Sequence, residues 1–566
     1  MNRRIRTICS IAAVVCAVPF AVSNAHAVGN KDVDLVIKIV LDQVRGEWPM
    51  QQYEHLDGGI RYLIDNGMYF PNTKYKHATT FTAVGHAVIG TGAPAALHGL
   101  PGNDWADRVT GERVYCVEDD TVQALGSEQP PRSPKNLTAT TAADEIKMAF
   151  AAKPKVWGVA VKDRGTILHA GNYADAAFWY DTSEGTFYTS TYYMDELPGW
   201  VEEWNAAGHA DRYRGKQWEL LHPRETYSVD PAHEHGFGIY GVEPGMPKAY
   251  TPPDEGRFYA GLRFNPGADE LTLDFAREII DNENLGQRNT TDVLALGLSN
   301  LDYIGHSYGI RSLEYEDHFR RVDRMLGEFF EHVDEKVGLN RTLIVVTSDH
   351  GSPDAPEYYA DVLGVDAVRL RPDDFMAGAN QRARDHYGID DDLIFAFWNP
   401  MLYFDPEVIE RHDIDREEAQ LLIADYMREE EDGIAFAVAR SYIERGWVPS
   451  VHPWPGVERA FHPGRSGDVI FIQDQFGYLY FDPEMFATMH GSPYAYDHIV
   501  PAFFAGPDIA GGELVDERIF VDQIAITMTQ YLGAGAPSGT DVEPISQVLR
   551  DRPVGNRSLV PRNNGQ

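Results

Sequence analysis

Cysteine is nearly missing from this chain. There are three, and Cys9 and Cys16 fall inside an N-terminal segment that reads as a leader. Only Cys116 would remain, which excludes an intramolecular disulfide and a cysteine-rich zinc site. Basic charge is scarce too. Against 86 aspartates and glutamates stand 49 lysines and arginines, a formal net charge of −37. A nucleic-acid-binding surface needs the opposite sign. No apolar run of spanning length follows the leader, so no membrane span is expected in the rest of the chain.

The N-terminus has the order of a secretory signal. Basic MNRRIRT precedes apolar ICSIAAVVCAVPFAVS and then NAHA, a small-x-small site before Val28. The expectation is a signal peptide over residues 1–27 and a periplasmic or secreted protein. A membrane anchor fits less well, because the run is short and holds Pro19. No lipobox ends at Cys16. Cleavage would remove Arg3, Arg4 and Arg6 and no acid, leaving a charge near −40. So acidic a surface serves either a saline habitat or ordinary solubility. Nothing in the sequence sets an oligomeric state, and a monomer fits.

The main domain is expected over residues 28–552, with 553–566 a loose polar tail. VDLVIKIVLD, KVWGVAVKDR, TDVLALGLSNLD, RTLIVVTSDHG and IVPAFFAGPDI read as buried strands. GGIRYLIDNG, AADEIKMAFAA, LTLDFAREIIDN and the long EDHFRRVDRMLGEFFEHVDEKVG read as helices. The alternation predicts an α/β fold: a doubly wound, mostly parallel sheet with helices on both faces. Less regular stretches near 165–260 and 360–480 are expected as inserted capping subdomains. The second holds a helix, REEAQLLIADYMREEE, and a hairpin-like GDVIFIQDQFGYLYF.

Three of the strands end alike. One delivers Asp42, one Asp302 and His306, and one Asp349 and His350; His490 precedes a further strand. Strand carboxyl ends of a parallel sheet converge on one crevice. A single Asp there is usually a helix cap, and a single His-Gly a turn. Together they are different, because buried carboxylates in company need a neutralising cation. Mixed Asp and His donors suit zinc better than manganese or iron. Six ligands exceed what one catalytic zinc uses, so two ions are expected. Two metals about 4 Å apart clamp the attacking and leaving oxygens of phosphoryl transfer.

The order Asp42, TFTAVGH, HGLPGNDW, VAVKDR, SNLDYIGHSYG, TSDHG and MHGSPYAYDHIVP resembles the alkaline phosphatase superfamily. Within it, the chain is most similar to phosphate-irrepressible alkaline phosphatases of the type I phosphodiesterase/nucleotide pyrophosphatase group. The likeness runs from about Val33 to Leu532. It implies a catalytic domain over 28–552 with two zinc ions, one on Asp302, His306 and His490, the other on Asp42, Asp349 and His350. It selects Thr82 as nucleophile, a hydroxyl that would itself meet the metal, and implies a phosphothreonine intermediate. Thr82 also begins AVGHAVIG, a helix start whose free N–H groups suit phosphate. Thr79 and Thr80 are expected as backbone caps. Asn103 matches the family donor to a phosphoryl oxygen.

Lys162 and Arg164 are expected to alternate along a strand end and face one way, with Asp163 turned off. Alone they would read as a solvated strand end. In this motif order they are expected to meet a phosphate monoester's charge. His86, His98 and His498 are expected in supporting roles. The substrates implied are small phosphate monoesters. Two other functions compete: a phosphodiesterase or nucleotide pyrophosphatase of the same fold, and a non-catalytic, metal-stabilised extracytoplasmic phosphate-binding protein. A sulfatase lacks its Cys/Ser-x-Pro-x-Arg stretch here.

Overall fold

The computed structural model of the chain describes residues 33–230, 235–398 and 400–549. The expected signal peptide and the tail from 553 lie outside them. An eleven-stranded sheet forms the centre. Its main strands are β1 Leu35–Leu41, β2 Met68–Lys74, β3 Val156–Ala160, β4 Ala176–Tyr180, β5 Phe187–Ser190, β6 Asp292–Leu298, β7 Thr342–Ser348 and β8 Ile499–Ala505. They lie in the order β2-β8-β7-β1-β6-β3-β4-β5. From β7 to β4 the strands run parallel. β8, β2 and β5 pair antiparallel at the two sides, as a mostly parallel sheet allows.

Register does the positioning. Leu41 of β1 lies opposite Leu298 of β6 and Ser348 of β7. The three strands therefore finish level, and the residues that follow leave the sheet side by side. Side chains alternate between two cores. Leu35, Ile37, Ile39 and Leu41 join one with Ile279 and Phe319, while Val36 and Val40 join the other with Ile89, Ile146 and Ile524. Six apolar side chains of β1 are fully buried. At ~1.5–3 kcal/mol each they outweigh the several kcal/mol that burying Asp42 costs.

Helices cover both faces: α1 Thr82–Thr91, α2 Ala142–Ala149, α3 Arg164–Ala170, α4 Gly267–Glu283, α5 Asn300–Tyr308, α6 Leu313–Lys336 and α7 Asp522–Leu532. α6 shows why. Ser312 caps it by accepting from the Tyr315 N–H, and Phe319, Val322, Leu326, Phe330 and Val333 form one buried stripe. Gly338, at φ 96°, ends the run.

Two expectations need correcting. The stretch near 165–260 is not wholly an insertion, because β4 and β5 within it extend the central sheet. The pattern there is too aromatic to show its strand period. And 469–479 is no hairpin: Tyr478–Leu479 pairs in parallel with Arg369–Leu370 instead. Part of the second stretch, the cap, folds as a small unit with a sheet of its own. Strands Ile394–Phe397, Met401–Phe404, Val469–Gln473 and Ile434–Ala439 make a four-stranded sheet, backed by helices Pro372–Tyr387 and Arg416–Glu429. It has its own core around Phe375, Ile423, Met427 and Phe471. Asp468 joins the cap to the body. It accepts from Arg416 and Gln420 of the cap and from Arg108 of the body.

Candidate active site

The level strand ends bring the predicted ligands together. β1 delivers Asp42, and β7 delivers Asp349 and His350. β6 leads into α5, where Asp302 and His306 stand one turn apart with Nε2 3.0 Å from Oδ1. His490, just before β8, places its Nε2 3.4 Å from the same oxygen. His350 and His490 stack at 3.5 Å. The donors form two groups: Asp302, His306 and His490, and Asp42, Asp349 and His350. Within each, the ligand atoms lie within 4.8 Å of one another.

All three histidines are oriented in the same way. Nδ1 of His306 meets the Thr488 carbonyl at 2.8 Å, Nδ1 of His350 the Gly351 carbonyl at 2.9 Å, and Nδ1 of His490 the Thr80 carbonyl at 2.6 Å. A proton on each Nδ1 leaves the Nε2 lone pair to face the carboxylates, the tautomer a metal needs. Burial holds His350 well below the usual range and His490 below it, so both stay neutral. Burial opposes charge on His306 too, but Asp302 beside it prevails and raises it.

The carboxylates divide. Burial pushes Asp349 well up and Asp42 up to about 6, against the pull of Lys162. Burial would raise Asp302 as well, but His306 and Lys162 hold it well below the usual carboxylate range. Asp42 Oδ1, Asp349 Oδ2 and His350 Nε2 are buried with no hydrogen-bond partner among the described residues. Polar atoms in that condition are costly. A divalent cation would satisfy all three at once, and mixed nitrogen and oxygen donors suit it.

Thr82 opens α1. Phe81 precedes it in extended conformation and offers no side-chain cap, so the first-turn N–H groups are not capped from within the helix. The Ala83 N–H goes to Asn103 Oδ1 at 2.9 Å. That engages the acceptor end of the Asn103 amide and leaves its donor end for a ligand. Gly85 lets α1 approach β7, since a Cβ there would sit 2.2 Å from the Asp349 carbonyl oxygen. Thr82, Asn103, Arg164, Asp302, His306 and His490 line one cavity of about 310 Å³.

The expectation for Lys162 and Arg164 is corrected. They do not alternate on a strand. β3 stops at Ala160, because Asp163 caps the next helix by accepting from the Arg164 N–H. Lys162 instead sits among the donors: its Nζ is 2.7 Å from Asp42 Oδ2, 2.6 Å from Asp302 Oδ2 and 3.4 Å from Thr82 Oγ1. Burial opposes its charge, but the two carboxylates raise it above the usual range. Arg164 opens α3 and donates to the Tyr115 hydroxyl at 3.1 Å. Asp163 holds that tyrosine (2.6 Å) and Arg132 (2.8 Å), so it supports Arg164 from the side.

Thr79 and Thr80 do not cap α1. The Thr80 hydroxyl donates to the Ser492 carbonyl at 3.0 Å, tying the incoming loop to the His490 segment. Thr79 Oγ1 has no partner among the described residues. His86, His98 and His498 are buried and stay off the cavity; His86 comes nearest, 3.7 Å from Asp349. Sequence reasoning passed over Gln43. It sits at φ 66°, donates its N–H to Asp349 and its amide to Asp302, both at 3.2 Å, and so bridges the two groups. Its signal was its place, directly after Asp42.

A threonine at a helix start, flanked by two Asp/His groups at the carboxyl edge of a parallel sheet, defines a class: enzymes that move a phosphoryl group with metal assistance. The chain belongs to the type I phosphodiesterase/nucleotide pyrophosphatase family, whose model matches residues 36–493. It is similar to alkaline phosphatase PhoV of Synechococcus elongatus, 33% identical over 91% of this chain and 93% of that one. Alkaline phosphatase PafA of Elizabethkingia meningoseptica is 32% identical over 91% and 94%. A crystal structure of wild-type PafA superposes with a TM-score of 0.84 at 29% identity, covering 91% of this chain and 99% of that one. A Myroides odoratus protein named Calcium-transporting ATPase is 33% identical over 95% and 98%. The expected likeness to phosphate-irrepressible alkaline phosphatases is borne out by PhoV and PafA.

Proposed function

We propose that the chain is an exported, two-zinc alkaline phosphatase that works through a phosphothreonine on Thr82. Its reaction is the hydrolysis of phosphate monoesters. One observation carries the choice of monoester. The Lys162 ammonium lies 3.4 Å from Thr82 Oγ1, and Arg164 lines the same cavity. Two cations at the nucleophile suit the second negative charge of a monoester.

Two zinc ions, one on Asp302, His306 and His490 and one on Asp42, Asp349 and His350, would supply positive charge to the Thr82 oxygen and the leaving alkoxide. The chain's own groups do the rest. Lys162 and the start of α1 lower the cost of charge on Thr82 Oγ. That oxygen gives its proton to solvent and attacks phosphorus in line; the Oγ–P bond forms, the ester P–O bond breaks, and the leaving oxygen takes a proton from water to become the alcohol. Asn103 and Arg164 hold the non-bridging oxygens. Water then attacks the phosphothreonine, the P–Oγ bond breaks, and phosphate leaves with overall retention. Residues 1–27 support export as a signal peptide. No helix among the described residues is long and apolar enough to cross a membrane. Transport, in the name of the Myroides relative, forms no part of the reading.

The test is hydrolysis of a chromogenic phosphate monoester and the matching diester, before and after chelation. The expected result is a dominant monoesterase rate that chelation abolishes and zinc restores. Thr82→Ala should lower it by about 10³-fold or more. A dominant diester rate would assign the chain to phosphodiester cleavage instead, full hydrolysis by Thr82→Ala would remove Thr82 as the nucleophile, and hydrolysis of neither ester would leave the binding-protein reading.

A further inference from the structure

The cavity over Thr82 has a second wall, and the cap builds it. Phe397, Trp398, Tyr480 and Phe481 line the same 310 Å³ space as Thr82 and His306. Aromatic contacts run without a break from metal-ligand candidate to cap. His306 meets Phe486 at 5.3 Å, Phe486 meets Tyr480 at 5.4 Å, Tyr480 meets Phe481 at 6.1 Å, and Phe481 meets Trp398 at 6.4 Å. Phe397 is accounted for by packing, since it is buried against Phe375 and Phe471. Trp398 and Phe481 are so only in part: Trp398 packs against the core around Trp105 and Met401, and Phe481 against Phe397 at 5.8 Å, yet each keeps an open face. Trp398 is half-buried, and Phe481 is 40% exposed although it abuts the cap core. Core packing alone would bury them, so their open faces call for a partner.

The Arg113 guanidinium lies 5.2 Å over the Trp398 ring and pairs with Asp104 at 2.6 Å. That contact holds the indole in place, and Arg113 and Asp104 line the same cavity. The cavity is at the small end of ligand sites, with room for a phosphoryl group and about one ring. Phosphate chemistry takes the polar wall, so whatever is bonded to the ester oxygen faces the aromatic one.

We propose that Trp398 and Phe481 form a leaving-group subsite that favours a flat aromatic ring on the ester oxygen. This rests on the phosphomonoesterase reading above. Aromatic pairs prefer offset or edge-to-face geometry at 4.5–7 Å and add affinity beyond area burial, whereas a short alkyl group gains little from them. The residues act on recognition of the leaving group and not on bond breaking.

The experiment compares phenyl phosphate with methyl phosphate on the zinc-loaded enzyme. In Trp398→Ala and Phe481→Ala, the phenyl-to-methyl ratio of kcat/KM should fall about ten-fold relative to wild type, mostly through KM for the phenyl ester. Trp398→Phe should keep most of the ratio. Dividing by the wild-type ratio removes the difference in intrinsic reactivity. A ratio unmoved by either alanine variant would overturn the proposal. A second measurement needs no variant: phenylphosphonate should inhibit wild type about ten-fold more tightly than methylphosphonate, and equal inhibition would overturn the subsite. Release of phosphate from neither ester would instead overturn the phosphatase reading, and the proposal with it.

Discussion

Two parts of this molecule bury carboxylates, and they do so in opposite ways. In the cap, Asp468 accepts from Arg108, Arg416 and Gln420 side chains and from the Phe404 N–H, all at 2.8–3.0 Å. Burial would raise it, but those partners hold it down to about 2. At the strand ends, Asp42 pairs with the Lys162 ammonium and Asp349 with no ammonium, and oxygens of both lack hydrogen-bond partners among the described residues. Burial pushes both up. The same residue type thus serves as a finished joint in one place and as an uncompensated charge in the other. Stability explains the first arrangement. Only a ligand explains the second.

Exchanging the two acids' oxygens for amides breaks the comparison most sharply. Asp42→Asn should lower kcat/KM by about 10³-fold or more, with little loss of thermal stability in the chelated protein. Asp468→Asn should do the reverse. Leaving two arginines unpaired costs about 3 kcal/mol, while activity per folded molecule holds. Asp468 also gives a pH test. Its folded pKa lies below its unfolded value, so its stabilisation is full above about pH 4 and is lost as pH falls towards about 2. Asp468→Asn should flatten that acid limb in thermal melts. Equal effects of the two substitutions on activity and melting would erase the distinction.

The finished joint and the open site were not equally legible in the sequence. The six ligand candidates were readable because β1, β6 and β7 finish level and Asp302 and His306 are one helical turn apart. Those are local rules extended by one parallel register. Thr82 needed the family likeness, since three nearby threonines look alike until one opens a helix. Lys162 was misplaced because the strand ends at Ala160, before the charged end of the expected KVWGVAVKDR strand, and Asp163 caps the helix that follows. Asp468, Trp398 and Phe481 carry no local signal. Their partners lie in other elements: Arg108 is 360 residues from Asp468, and Arg113 is 398 − 113 = 285 residues from Trp398. β2 holds Pro71, which masks a strand that pairs near the sheet edge.

A smaller effect sharpens the open site's geometry. Gly85 is where α1 touches the strand that carries Asp349. Gly85→Ala would place a methyl 2.2 Å from a backbone oxygen, so helix or strand must move. A displacement near 1 Å at the proposed nucleophile, Thr82, costs about 10²-fold in rate. We expect kcat to fall by that order with metal content retained. A variant with unchanged kcat would show that the close approach has no bearing on Thr82.

Lys38 is the intermediate case between the two carboxylate settings, and it gives the smallest effect. It lies buried in mid-β1, and its ammonium donates to the His169 carbonyl at 2.9 Å. Burial brings it down to about 7 although Asp144 pulls upward; His86 and His169, also buried and neutral, lie on the same side. The sign follows from linkage. An unfolded lysine binds its proton up to about pH 10.5, while the folded one releases it near 7. Between those values the unfolded state holds more protons, so stability rises with pH across the window; below about pH 7 both states are protonated and the full cost of the buried charge remains. Lys38→Met, of similar length, removes the titration. Melting temperatures of wild type relative to Lys38→Met should therefore climb from pH 7 to pH 10, with the variant ahead at pH 6. Parallel profiles would mean that Lys38 stays charged in the fold, held like Asp468 by partners and not exposed like Asp42 to the cost of burial.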